Sequence, residues 1–299
     1  MLARGAVWSN QMNKLHYLII DIVAFFLAAL SNATPSQQIQ PINPTMYDHF
    51  NITTEELSVA NKAYRLFIAA PKQWSAPLPV LYLLDANAQF PLAVNAVKTD
   101  RTLPLIIGIG YSGEQAYFVN QRTRDYTFPA QGAAFSASGG AAEFLHVIRS
   151  KVIARIEAQY PIATRQRYFF GHSFGGLFGL YILFNQPQLF DHYILASPSL
   201  WWDNAAFLPR QTPWITPSPA SILITLGEYE ATPTADPTMT AQRLDKIMQR
   251  RQIFTAEQLS QQLRQQGYPV EFELIARQNH GGSIPYAIAR AIRRIQDGE

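Results

Sequence analysis

Gly171-His172-Ser173-Phe174-Gly175-Gly176 constrains this 299-residue chain more than any other stretch. The form G-x-S-x-G sets a serine on a sharp turn between strand and helix, with its hydroxyl at the end of a sheet. The flanks suit that turn: Arg167-Tyr168-Phe169-Phe170 reads as a short buried strand, and Leu177 to Phe184 as a buried helix. The serine of such an elbow is held in strained backbone geometry, and bulky neighbours would collide with the packing around it. Gly171 and Gly175 are therefore expected to supply the room. The competing reading is a tight glycine turn in which Ser173 only caps the next helix.

Apolar residues make up 48% of the chain, enough for a core in one large domain or two modest ones. The formal net charge is only +3, too little to argue for a nucleic-acid partner. There is no cysteine, so neither disulfides nor thiolate metal ligands enter. The N-terminus speaks for the compartment. Tyr17 to Leu30 is an apolar run preceded by Lys14 and followed by Ser31-Asn32-Ala33, a small-residue end of the kind a signal peptidase cuts. The run is short for a bilayer span and carries Asp21. Residues 1–33 are thus read as a signal peptide or an uncleaved signal anchor, with Met12 as an alternative start. The expected location is the periplasm or otherwise outside the cytoplasm, with the apolar segment as a membrane attachment if it is retained. Residues 34–45, polar and proline-spaced from Pro35 to Pro44, read as a flexible linker, and residues 46–299 as one catalytic domain.

Within that domain Ala63 to Ala70, Val80 to Leu84 and Leu105 to Ile109 read as interior strands. Ala141 to Gln159 carries apolar residues at helical spacing (Phe144, Leu145, Ile148, Val152, Ile153, Ile156) and ends at Tyr160-Pro161. Further strands are expected at Tyr193 to Ala196, Ile222 to Leu226 and Val270 to Ile275. A helix from Thr255 to Gln266 starts with a Thr255/Gln258 capping box and stops at Gly267. Strands alternating with helices predict an α/β fold with a mainly parallel central sheet covered by helices on both faces.

A serine hydroxyl is a poor nucleophile until a base takes its proton. Of the six histidines, His16 lies in the leader, His49 before the first predicted strand, His146 on the helix before the elbow, and His192 at the start of a strand behind it. His172 adjoins the serine and should point away. That leaves His280 in Gln278-Asn279-His280-Gly281-Gly282-Ser283, after the last strand, and serine early with histidine last is the α/β-hydrolase order. The acid is expected at the end of the preceding strand, where Glu228 and Glu230 both stand. Glu230, three residues past Gly227, is preferred; a Ser-His pair without an engaged acid stays open. Negative charge developing on a substrate carbonyl needs fixed donors. The backbone N–H of Phe174 is one, and the turn after the Val80 to Leu84 strand offers the other at Asn87, with Asp85 as a residue that could hold the turn.

Gly108-Ile109-Gly110-Tyr111-Ser112-Gly113 is a literal G-x-G-x-x-G, but residues 114–131 read as a polar loop rather than a helix. Dinucleotide binding is set aside. With these pieces placed, residues 46–297 resemble the esterase family of α/β-hydrolases, on the branch of the periplasmic salmochelin and enterobactin (trilactone siderophore) esterases. The resemblance rests on Val80 to Asp85, Gly108 to Tyr111, Arg124-Asp125-Tyr126-Thr127, the elbow, Ser197-Pro198-Ser199-Leu200-Trp201-Trp202, Gly227 to Glu230 and Asn279 to Ser283. Ala86 departs from it, standing where relatives usually have glycine. The resemblance implies hydrolysis of a small-molecule ester through an acyl-serine, without cofactor or protein-bound metal. It also makes Trp201, Trp202 and Tyr126 candidate surfaces for catechol rings, and Arg124, with Arg122, a candidate for their charge. A general exported carboxylesterase, and a catalytically silent binding protein on the same fold, are the alternatives.

Overall fold

The structure, a computed structural model, describes residues 38–130, 135–251 and 254–298. The leader read at residues 1–33 and the first part of the expected linker lie outside the described residues. Eight strands form one sheet in the order β1-β2-β4-β3-β5-β6-β7-β8. They are β1 Phe50–Val59, β2 Lys62–Pro71, β3 Leu78–Leu83, β4 Leu105–Tyr111, β5 Ile162–His172, β6 His192–Ala196, β7 Ser221–Gly227 and β8 Val270–Ile275. The α-helices among the described residues are α1 Met46–His49, α2 Ala86–Asn95, α3 Val119–Tyr126, α4 over 141–159, α5 Phe174–Asn185, α6 Glu228–Ala231, α7 Ala241–Arg251, α8 Ala256–Gln265 and α9 Ile284–Asp297. From β4 across to β8 every neighbouring pair is parallel, while β1 and β2 form an antiparallel hairpin on the β4 side.

The central strands are apolar at nearly every position because both faces of the sheet are covered. Along β3, Val80 and Tyr82 enter the core on one face, and Leu81 and Leu83 the core on the other. The first face is covered by the stripe from Phe144 to Ile156 and by α5, Phe174–Asn185. The second is covered by α2, Ala86–Asn95, and α9, Ile284–Asp297. The predicted helix over residues 141–159 is present, with a π-helical stretch at Ile148–Ile153. Its six predicted apolar residues are all buried.

Three expectations are corrected. β1 is absent from the predicted strands because it is an edge strand whose exposed positions carry Asn51, Thr53, Thr54, Glu56 and Ser58. The polar stretch after β4 contains a helix, α3, Val119–Tyr126. The linker is not free to residue 45: Asn43 N–H donates to Asn95 Oδ1 at 2.8 Å and Asn95 Nδ2 donates to the Pro41 carbonyl at 2.9 Å. No helix among the described residues is long and apolar enough to cross a membrane.

The G-x-G of β4 has a packing role. A Cβ at Gly108 would sit 2.5 Å from Ala86 Cβ, and one at Gly110 would meet the Asn87 side chain. Two missing side chains thus let the first turn of α2 lie directly on the sheet. Gly108→Ala should cost about 1–3 kcal/mol, read as a lower urea midpoint. Adding Ala86→Gly should recover part of that loss.

Candidate active site

β3 and β5 are neighbours, as are β5 and β6, so the segments leaving their carboxyl ends meet above one edge of the sheet. At the end of β5 Ser173 has φ 60° and ψ −117°, between strand and helix and outside the ordinary regions for a non-glycine residue. Its N–H donates to the Ala196 carbonyl of β6 at 3.0 Å. The glycine roles differ from expectation. A Cβ on Gly171 would run into the Gly175 carbonyl, and one on Gly176 would lie 3.0 Å from Ala196 O and 3.1 Å from Pro198 Cα. At Gly175 a Cβ would meet nothing nearer than 3.6 Å, so the room is made by Gly171 and Gly176.

His280 stands on the loop after β8, with Nδ1 2.6 Å from Glu230 Oε2. Glu230 lies in the single helical turn Glu228–Ala231 that follows β7. Its Oε1 accepts from Ser197 Oγ at 2.6 Å and from the Gly227 N–H at 3.0 Å. Glu228 turns elsewhere, accepting the Arg277 N–H at 2.6 Å. Gly227 has no side chain for a reason: a Cβ there would lie 2.5 Å from the Gln278 carbonyl. That carbonyl accepts the Tyr229 N–H at 2.9 Å, which seats the histidine loop against the acid's turn. Burial pushes the Glu230 carboxyl up, but the charge and hydrogen bond of His280 and the Ser197 hydroxyl outweigh it and bring it to about 2. Ser173 Oγ lies 3.2 Å from Ser199 Oγ.

The turn after β3 is held by a buried ion pair. Arg122 Nε and Nη2 donate to Asp85 Oδ1 and Oδ2 at 2.9 and 2.8 Å, in the bidentate geometry that suits guanidinium and carboxylate. The two side chains are 7% and 2% exposed. Burial works against the Arg122 charge, and the Asp85 carboxylate beside it more than restores it. Asp85 itself has φ 52°, a left-handed conformation, and its N–H donates to the Tyr126 hydroxyl at 3.2 Å. Asn87 is fixed to β4: Nδ2 donates to the Tyr111 carbonyl and Oδ1 accepts the Tyr111 N–H, both at 2.9 Å. The backbone N–H groups of Asn87 and Phe174 lie in the first turns of α2 and α5, where helices have no internal acceptor for them.

The proposed aromatic surfaces need correction. Tyr126 is fully buried, its ring packed against Phe144 and Phe178. Trp202 is 2% exposed, with its indole N–H on the Phe128 carbonyl and its ring edge-on to Phe174. Trp201 is partly exposed, its ring 5.8 Å from that of Phe174. Arg124 is also partly exposed, but Nε and Nη2 both donate to Asp125, at 2.7 and 2.8 Å. Arg122 is committed to Asp85 and buried, so it offers no charge to solvent. Ser197, Ser199 and Ser283 stand in the motifs that carry the resemblance, but taken as single residues nothing separates these polar neighbours of the site from ordinary turn formers.

A mainly parallel sheet with a strained serine turn on its carboxyl edge, a histidine after the last strand and a carboxylate on that histidine defines an α/β-hydrolase. Residues 58–266 match the family described as "Putative esterase". The chain is 30% identical over 257 residues to the ferri-bacillibactin esterase of Bacillus subtilis, spanning 78% of this chain and 84% of that protein. It is 29% identical over 224 residues to the apo-salmochelin esterase of Escherichia coli, spanning 68% and 69%. A solved siderophore hydrolase from Aspergillus nidulans superposes with a TM-score of 0.73 at 25% identity, over 88% of this chain and 99% of that one. The chain belongs to this esterase family and is a hydrolase acting on ester bonds.

Two outcomes follow from the charges. Arg122→Met leaves Asp85 buried without a partner and should cost about 3–5 kcal/mol in urea unfolding. Arg122→Met with Asp85→Asn should cost less than Arg122→Met alone. Because the folded-state pKa of Glu230 lies below its ordinary 4.5, its stabilisation is complete above that pH and is lost as pH falls toward about 2. The stability gap between the protein and its Glu230→Gln variant, followed by thermal unfolding, should therefore close over that window.

Proposed function

We propose that this protein is an exported serine esterase that opens the ester bonds of catecholate siderophore trilactones. The observation that carries the mechanism is the 2.6 Å contact of His280 Nδ1 with Glu230, on a loop that His172, the residue before the strained Ser173, touches through its ring nitrogen. The Ser173 hydroxyl turns from Ser199 toward Nε2 of His280, the ring nitrogen that Glu230 does not engage. As Oγ attacks the ester carbonyl its proton passes to Nε2, and the imidazolium is stabilised by the Glu230 carboxylate. The oxyanion is received by the backbone N–H groups of Phe174 and Asn87, each such donor being commonly worth about 3 kcal/mol. The tetrahedral intermediate collapses, the C–O bond breaks, and the leaving alkoxide takes the proton from His280. Water then repeats the sequence on the acyl-serine, returning a carboxylic acid and free Ser173.

The choice of substrate rests on the relatives named for siderophore esters, and on Trp201 with Phe174 as the aromatic surface beside the nucleophile. Export rests on the apolar leader with its small-residue end, and attachment through that leader is the alternative to cleavage; the mass of the mature N-terminus separates them.

Turnover of p-nitrophenyl esters and labelling by a serine-directed phosphonate should both vanish in Ser173→Ala. Glu230→Gln should lower kcat by roughly 10²–10⁴-fold, while Glu228→Gln stays within a few-fold of the parent. Incubation with an enterobactin-type trilactone should yield the linear ester and its fragments by chromatography. Cleavage of short simple esters alone would reject the siderophore reading and leave the esterase intact.

A further inference from the structure

The residue before the nucleophile has a partner that the elbow does not require. His172 is 4% exposed, and its Nε2 lies 2.8 Å from the main-chain carbonyl oxygen of His280. A carbonyl only accepts, so Nε2 carries the hydrogen and donates it. Ser283 Oγ donates to the same oxygen at 3.0 Å. The two imidazole rings lie 4.5 Å apart between centroids. His280 is thus gripped twice, on its ring by Glu230 and on its main chain by His172 and Ser283.

We infer that His172 is a positioning residue for ester hydrolysis, anchoring the His280 loop through its Nε2–H···O bond and, as the uncharged ring of the pair, leaving His280 to carry the proton taken from Ser173. This rests on the reading of His280 as the base. Two imidazolium rings at this separation repel, so a proton on one discourages a proton on the other. The charged and titratable groups acting on His172 are His280 on the loop after β8, Glu230 after β7 and Arg122 on α3. Burial pushes His172 well below the ordinary imidazole range; the charges of His280 and Arg122 act in the same direction, and Glu230 and the bond to the His280 carbonyl oppose them without reversing the shift. His280 has its side chain 37% exposed and the Glu230 carboxylate on Nδ1, which leaves its other nitrogen as the one placed to take the Ser173 proton.

The test is a set of full-length variants assayed on a p-nitrophenyl ester, each checked for folding by its thermal midpoint. His172→Gln keeps an N–H near the position of Nε2, His172→Asn is too short to reach, and His172→Leu has no donor. His172→Leu and His172→Asn should lose about ten- to a hundredfold in kcat with KM little changed, the size of a misplaced catalytic group. His172→Gln should keep at least half of the parent kcat, with the acid limb of its pH profile unmoved. Folded Leu or Asn variants with parental kcat, or Gln no better than Asn, would overturn the anchoring role. A moved acid limb in His172→Gln would overturn the neutral ring. Ser173→Ala and His280→Ala are run alongside. If either is active the reading of the base fails; if both are dead while His172→Leu works normally, only the present inference fails.

Discussion

Everything at the candidate site depends on keeping Ser173 at φ 60°. A non-glycine residue there costs of order 1–3 kcal/mol and persists only where its surroundings leave no alternative. Here they leave none. The strand fixes the serine from one side and the N–H bond to Ala196 from the other. The Gly171 and Gly176 positions let α5 come so close to β5 and β6 that the turn cannot relax outward. The strain is held by sheet and helix burial rather than by the loop itself, so the hydroxyl stands on a closely packed junction of strand and helix.

The same logic spreads to the neighbouring segments. The turn after β3 has its own left-handed residue, Asp85, held by Arg122 instead of by helix capping. Asn87 is tied to the backbone of β4, and the histidine loop is seated on a glycine at the end of β7. Each chemical group is therefore positioned by the end of a different strand, and the parallel sheet sets their spacing.

The sequence disclosed this arrangement unevenly. The buried strands and the stripe from Phe144 to Ile156 were legible because apolar periodicity reports directly on burial. The pairing of Glu230 rather than Glu228 with His280 was only a preference in the sequence; the geometry that separates them is Glu228 turning to the Arg277 N–H. α3 is not legible because its buried face is Arg122, Asp125 and Tyr126: Arg122 and Tyr126 find their partner in Asp85, far away in sequence, and Asp125 is held by its neighbour Arg124. For the same reason Arg122 and Tyr126, candidates for substrate recognition in the sequence, prove to be internal supports. Polar residues buried in pairs look like surface until the partner is known. β1 was lost to the opposite effect, a true strand whose exposed edge reads as loop.

The Arg122–Asp85 pair also sets how the site responds to its medium. Ion pairs such as Arg65–Glu56 and Arg101–Asp297 involve partly exposed side chains, where dissolved salt screens their attraction. The pair beneath the turn after β3 is closed to solvent, so mobile ions cannot gather around it. Changes in ionic strength will loosen the outer surface first, while the backbone facing Ser173 keeps its shape. The protein has put the charge its chemistry leans on where the composition of the surrounding water has least hold over it.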